Sequence, residues 1–377
     1  MKKVIVLLVS VMLIVSMFTG CGSSTASPDT KASNSTSTEN STTTENSTTT
    51  EKSTSTVPAE NSVTELSSEW SGLPKEVFEG DFGLDPAVVK EKKFTIGFAQ
   101  CVMDHPYRID MVERAKKWCS EYGVEFILMD GQGDPAIEVS NIESLIAKKV
   151  DAIVISSHGG VALTPALAQA KQQNIPVVLI DGGRPFEDWE YVTWMSTDDF
   201  QLGEITGNML VEDIGAKGKI AVLEGTSGSS CTEGRHEGFY HVINQYPDIT
   251  VVTEQDCNWL RINAINVVTN VLQSSPDLKA VYAHNDEMAL GAVEAIEAAG
   301  LKAGKDILVY SAGDYQANCF EAIKAGKVRN TNIYKNDGDL ACQAAVAHLL
   351  GMEIPKKINL GTRTCTIDNV DTETPAY

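Results

Sequence analysis

No cluster of lysine and arginine occurs anywhere in the 377 residues, and 51 acidic side chains outnumber 30 basic ones. A chain of net charge −21 without a basic stripe cannot neutralise a row of phosphates. That excludes nucleic acid and an anionic bilayer surface as direct partners. The eight cysteines contain no CxxC pair, so neither a zinc site nor a dithiol redox motif is indicated. With Cys21 set apart, Cys101, Cys119, Cys231, Cys257, Cys319, Cys342 and Cys365 remain, an odd number that leaves at least one thiol free without cross-linking between chains. Disulfides are therefore not expected to be the main staple. HExxH and Walker-type phosphate loops are missing, and GTSGSSC at 225–231 lacks the spacing of a nucleophile elbow. No catalytic residue, metal or cofactor is expected.

What is present begins with Lys2-Lys3, then an apolar run over residues 4–18 broken only by Ser10 and Ser16, then Phe18-Thr19-Gly20-Cys21. Residues 1–20 read as a targeting segment, too short for a comfortable membrane span. Small residues directly before a cysteine resemble a bacterial lipobox, which implies cleavage before Cys21 and lipidation of its thiol. Losing Lys2 and Lys3 would leave 28 basic against 51 acidic residues, a net charge of −23. Residues 21–67 are Ser, Thr, Glu and Asn, with TENSTTT at 38–44 repeated at 44–50. Such a stretch buries too little to offset chain entropy and reads as a tether spanning roughly 35–40 Å. Residues 68–92 form a transition whose Trp70, Leu73, Val77, Phe78 and Phe82 either pack on the domain or stand idle.

From residue 93 the rhythm is strand, turn, helix. Strands are expected at 94–100, 124–131, 150–157 and 175–182, with helices at 107–122, 135–148 and 163–173. The rhythm restarts after Thr197: helices at 198–212, 231–246 and 261–273, another through 297 and a short one to 325, and strands at 218–225, 250–257, 278–285, 306–313 and 328–335. Continuous apolar strands alternating with helices argue an α/β fold with parallel, doubly wound sheets. Two similar halves read as two lobes, and a cleft between lobes is a default ligand site.

The stretch VYAHNDEMALGA (281–292) puts His284-Asn285-Asp286 where a strand's carboxyl end meets a helix N-terminus. Asn285 or Asp286 can cap that helix, and this is also where open α/β sheets bind ligands. Together with AGLKAGKDILVYSAGD (299–314), it closely resembles the type I periplasmic sugar-binding proteins of ABC importers, especially the ribose- and galactofuranose-binding members. The resemblance runs from about residue 93 to about residue 355. It implies two doubly wound lobes joined by a three-crossing hinge, with crossings near 196–199, 331–336 and 358–363. The first lobe would be 93–197 with about 335–359, the second 198–334 with about 360–377. It further implies a monomer bound to the outer face of the membrane by its lipid, working with an ABC permease and capturing a small sugar. A sensor that presents its ligand to a receptor remains an alternative. A glycoside-processing enzyme has only Asp181 and Asp314 in its favour.

Polar side chains recur after the strands: Gln100, Asp104, His105, Tyr107 and Arg108; Asp181 and Arg184; Arg235; Trp259; Asn285; Asp314; then Asn332 and Tyr334. Carboxylates, amides and guanidinium groups match vicinal hydroxyls, and Tyr107 and Trp259 offer flat faces to a sugar ring. By resemblance, Asp181, Arg235 (in RHEGF, 235–239), Trp259, Asn285 and Asp314 occupy the family's ligand positions, and Tyr107-Arg108 matches its aromatic-Arg pair. Asp181-Gly182-Gly183-Arg184 departs from the family's Asp-Arg, which leaves open whether Arg184 reaches the same space. Structural readings stand beside these: Asp181 as a cap, Arg235 paired with Glu237, Trp259 as core, His105 as a helix-opening residue. The site reading expects Asp181→Ala and Arg235→Ala to weaken binding while barely changing apo stability.

Overall fold

Alternate residues of each central strand separate onto opposite faces, and each face finds its own helices. The computed structural model describes residues 71–158, 160–182 and 184–377. The leader, Cys21 and the tether to residue 67 lie outside these. Strands β1 (Thr95–Gln100), β2 (Glu125–Asp130), β3 (Ala152–Ser156), β4 (Val177–Ile180), β5 (Thr193–Ser196) and β11 (Lys357–Asn359) form one sheet, in the order β2-β1-β3-β4-β5-β11. Every pair in it is parallel. Val178 and Ile180 face α2 (Pro106–Tyr122) and α10 (Gly338–Leu349) through Met111, Val112, Leu340 and Ala344. Val177 and Leu179 face α3 (Pro135–Ala147) and α4 (Thr164–Gln172) through Ile142, Leu145 and Leu167. Each such apolar side chain gains about 1.5–3 kcal/mol on burial, which is why one register is held.

A second parallel sheet, ordered β7-β6-β8-β9, joins β6 (Gly218–Glu224), β7 (Ile249–Asp256), β8 (Leu278–Ala283) and β9 (Leu308–Ser311). Ile220, Val222 and Tyr282 pack with α5 (Asp199–Ile214) and α6 (Ser230–Ile243), while Leu223, Val281 and Val309 pack with α7 (Arg261–Ser274) and α8 (Asp286–Ala298). Helices α5 and α6 meet at glycines. A Cβ on Gly238 would lie 2.0 Å from the Phe200 carbonyl oxygen, and one on Gly203 2.3 Å from that of Arg235. That contact sets the height of Arg235 above the sheet.

The chain leaves the first sheet after β5, returns from β10 (Asn330–Asn332) to α10 and β11, and crosses again from β11 to β12 (Thr364–Thr366), which pairs antiparallel with β10. Neither β5, β11 and β12 nor α10 was among the elements expected from sequence. The strands are three or four residues long and mix polar with apolar side chains, so no periodic run marks them. The transition segment packs: Val89 is fully buried in α1 (Pro86–Lys92), Ser71 Oγ donates to Asp198 Oδ2 at 3.0 Å, and the Phe78 N–H donates to the Asn359 carbonyl at 2.8 Å. Among the described residues no helix is long and apolar enough to cross a membrane.

Candidate functional site

The carboxyl ends of both sheets face one cavity of about 530 Å³. The first lobe lines it with Asp104, His105, Tyr107, Arg108, Glu138, His158 and Asp181, and the second with Cys231, Arg235, Trp259, Asn285 and Asp314, with Tyr334 from the stretch after β10. Of the residues proposed from sequence, His105, Tyr107, Arg108, Asp181, Arg235, Trp259, Asn285 and Asp314 are brought together here.

Three are not. Gln100 is buried beneath the wall, its Oε1 accepting from the Cys101 N–H at 3.0 Å and its amide facing Met111 Sδ at 3.5 Å. Asn332 lies in the strand pair behind the second lobe, donating to Thr206 Oγ1 and the Ala312 carbonyl, both at 3.1 Å, and accepting from Thr364 Oγ1 at 2.6 Å. Arg184 lines a neighbouring pocket of about 440 Å³ with Phe186 and Trp189. Arg108 takes the place beside the Asp181 carboxylate. Glu138, His158 and Cys231 were missed. His158 lies two residues beyond β3, so the strand-end rule that found the others could have found it. Glu138 and Cys231 sit inside first helical turns, where sequence offers no separate signal.

In the first lobe Asp181 is 2% exposed with φ +69°, a conformation that costs a non-glycine residue of order 1–3 kcal/mol. Arg108 Nη1 donates to Asp181 Oδ2, Ser156 Oγ donates to the same oxygen at 3.2 Å, and Tyr107 OH donates to Oδ1 at 3.3 Å. Burial alone would raise the Asp181 pKa, but Arg108 and His158 outweigh it and hold the carboxyl below its ordinary value. Arg108 Nη2 donates to His158 Nε2 at 2.9 Å. Burial, reinforced by Arg108, lowers His158 to about 4, so that ring is neutral at pH 7.

In the second lobe Arg235 is 2% exposed and pairs through Nε with Asp199 Oδ1 at 2.9 Å, not with Glu237; Nη1 donates to the His284 carbonyl. Its guanidinium carbon lies 5.2 Å from the Trp259 ring centre and 4.6 Å from that of Tyr334. Trp259 is half-buried with φ +64°, and therefore belongs to the cavity wall as well as to the edge of the core. Burial raises Asp314 to about 6 despite nearby Arg235.

One contact crosses the cavity from lobe to lobe. His105 caps α2, its Nδ1 accepting from the Tyr107 N–H at 3.1 Å, and burial with Arg108 lowers it to about 4. The neutral ring therefore carries its proton on Nε2. Asn285 caps α8 through Oδ1, accepting from the Met288 N–H at 3.0 Å, so its NH₂ lies 3.0 Å from that same Nε2. The same Asn285 NH₂ donates to the Trp259 carbonyl at 3.3 Å and to Asp314 Oδ2 at 3.4 Å, so His105 of one lobe touches a hydrogen-bonded amide of the other. Both capping readings hold, and both residues still line the cavity.

The chain matches the periplasmic binding protein domain family over residues 96–352. It is 34% identical over 271 residues to the ribose import binding protein RbsB of Bacillus subtilis (strain 168), covering 71% of this chain and 86% of that one. It is 30% identical over 276 residues to the galactofuranose-binding protein YtfQ of Escherichia coli (strain K12), covering 72% and 86%. The solved periplasmic binding protein of the arabinose ABC transporter from Shewanella sp. ANA-3, bound to α- and β-L-arabinofuranose, superposes with a TM-score of 0.69 at 32% identity, covering 74% of this chain and 93% of that one.

Proposed function

Because this chain belongs to the periplasmic binding protein domain family, in which its relatives are sugar-binding transport proteins rather than enzymes, we propose that it captures a neutral monosaccharide for an ABC permease. The observation that carries this reading is the cavity wall itself. Ionised Asp181, the guanidinium groups of Arg108 and Arg235, and Asp314 present paired acceptors and donors, Trp259 presents a ring face, and the His105 ring and the Asn285 amide meet across the cavity from opposite lobes. A sugar hydroxyl accepts from such donors and donates in turn to a carboxylate.

Capture works by hinge closure. The groups within each lobe are already oriented by their own partners: Arg108, Ser156 and Tyr107 around Asp181, and Asp199 and the His284 carbonyl around Arg235. Little side-chain entropy is then lost on binding. The ligand bridges the lobes by bonding to groups of both, so it favours the closed arrangement over the open one. The protein is exported and monomeric, and the FTGC motif supports anchoring through a lipid on Cys21, with residues 22–67 as the tether.

A thermal-shift screen against pentoses, hexoses and furanoses tests the reading. A ligand at about a hundred times its dissociation constant adds roughly 2.7 kcal/mol; a midpoint unmoved by every sugar refutes it. Anchoring is tested separately: Cys21→Ala should release the protein to the medium or leave it unprocessed, and a cleaved variant that stays on the membrane sinks the lipid assignment.

A further inference from the structure

On the second lobe, away from the sugar cavity, Glu224, Glu254 and His236 bring one ligand atom each to within 4.8 Å of one another. Glu224 ends β6, Glu254 lies on β7, and His236 comes down from α6 onto the same face of the sheet. Val222 and Glu254 are register partners, and Glu224 follows Val222 by two residues, so period-two alternation puts both carboxylates under that helix. His236 Nδ1 lies 2.8 Å from Glu224 Oε1 and 3.0 Å from Glu254 Oε1. The Tyr240 ring stacks on the imidazole at 4.3 Å, and its hydroxyl donates to Glu254 Oε2 at 2.8 Å, fixing that carboxylate from outside.

We propose that Glu224, His236 and Glu254 form a binding site for a divalent transition metal of the zinc class. Two observations favour a metal over an imidazolium bridging two acids. The first is charge. A protonated His236 leaves the triad one negative charge in excess, and Glu237 adds another close by. A divalent ion on neutral imidazole brings the triad itself to zero. The second is spacing. Tetrahedral zinc with bonds of about 2.0–2.2 Å separates its ligand atoms by about 3.3 Å, so the observed pairs need to spread by only a few tenths of an ångström. Tyr240 is the kind of outer partner that orients a metal-bound carboxylate. The side chains of Glu224, His236 and Glu254 are 18%, 34% and 33% exposed, which leaves an approach for the ion and a position for water. An imidazole with two carboxylates suits zinc or cobalt and offers too few oxygens for magnesium or calcium.

The test uses the mature protein without a polyhistidine tag, stripped by chelator and titrated with Zn²⁺ against a chromophoric chelator. One equivalent should bind, magnesium and calcium should not compete, and Co²⁺ should develop visible ligand-field bands. His236→Ala and Glu254→Gln should each abolish the event and the bands, and Tyr240→Phe should weaken it about 10-fold or more. Glu254→Gln keeps the shape of the side chain and decides the matter should His236→Ala not fold. No zinc uptake by the wild type, or uptake unchanged in Glu254→Gln, overturns the site.

Discussion

Gly182 in the first lobe lies so close to Cys231 in the second that a Cβ there would sit 2.2 Å from the cysteine sulfur. Ordinary contact needs about 3.5–4.0 Å, so Gly182→Ala pushes the facing surfaces apart by about 1.3 Å or more at that point. The φ of Gly182 lies outside the left-handed region, so alanine strains no backbone. The clash exists only when the lobes are together. It should therefore oppose closure and leave the open, unliganded protein almost as stable as before. Overpacking of this kind costs about 1–3 kcal/mol, which is roughly a 5- to 150-fold loss of sugar affinity. Cys231→Ala removes the sulfur and leaves its own Cβ 3.5 Å from the new methyl, an ordinary contact. Gly182→Ala with Cys231→Ala should thus bind as well as Cys231→Ala alone, which itself loses the 3.2 Å contact with the Tyr334 hydroxyl and the hydrogen bond to Asp199. Isothermal titration on the four proteins, with apo melting beside it, gives the coupling energy. If Gly182→Ala binds like the wild type, or if removing the sulfur fails to rescue it, ligand capture does not use this closed arrangement.

Asp181→Asn strands the Arg108 guanidinium among buried groups within one lobe, so apo stability should fall by about 3 kcal/mol, the low end for a broken buried pair because the cavity wets one side. This revises the expectation from sequence that Asp181 could be lost at little cost to the apo protein. Arg108→Met added to Asp181→Asn should recover much of the loss, and melting curves showing no coupling refute the pair's role. His105 is held neutral in the fold, its pKa depressed from 6.5 to about 4. The unfolded chain takes up that proton first as pH falls, so the His105 contribution is fully present above pH 6.5 and is lost between 6.5 and 4. His105→Asn keeps a helix cap without the titration, and the wild type should lose up to about 3 kcal/mol relative to it over that window. Parallel stability–pH profiles for the two proteins contradict the assignment.

The parallel α/β class, the chain order of elements from residue 94 to residue 325 apart from β5, and most of the cavity wall were legible from sequence. Each rests on a local pattern: continuous apolar strands, capping residues, and polar side chains just beyond a strand or in the first turns of the helix that follows it. His105 and Asn285 show how far that goes, since each is both the cap and the wall residue it was read to be. Tertiary structure alone decided the rest. Gln100 and Asn332 carry the same chemistry as their neighbours, but strand alternation turned them into packed protein, where backbone and hydroxyl partners satisfy them. The short strands β5, β11 and β12 take their conformation from the edges they pair with, which no window of a few residues records. Arg108 rather than Arg184 meets Asp181, a choice between two arginines near strand ends that only the packed fold makes. The Glu224–His236–Glu254 cluster joins residues from two strands and a helix that only the folded sheet brings together. Local sequence sets which groups stand at a strand's end; the fold sets which of those groups face one another.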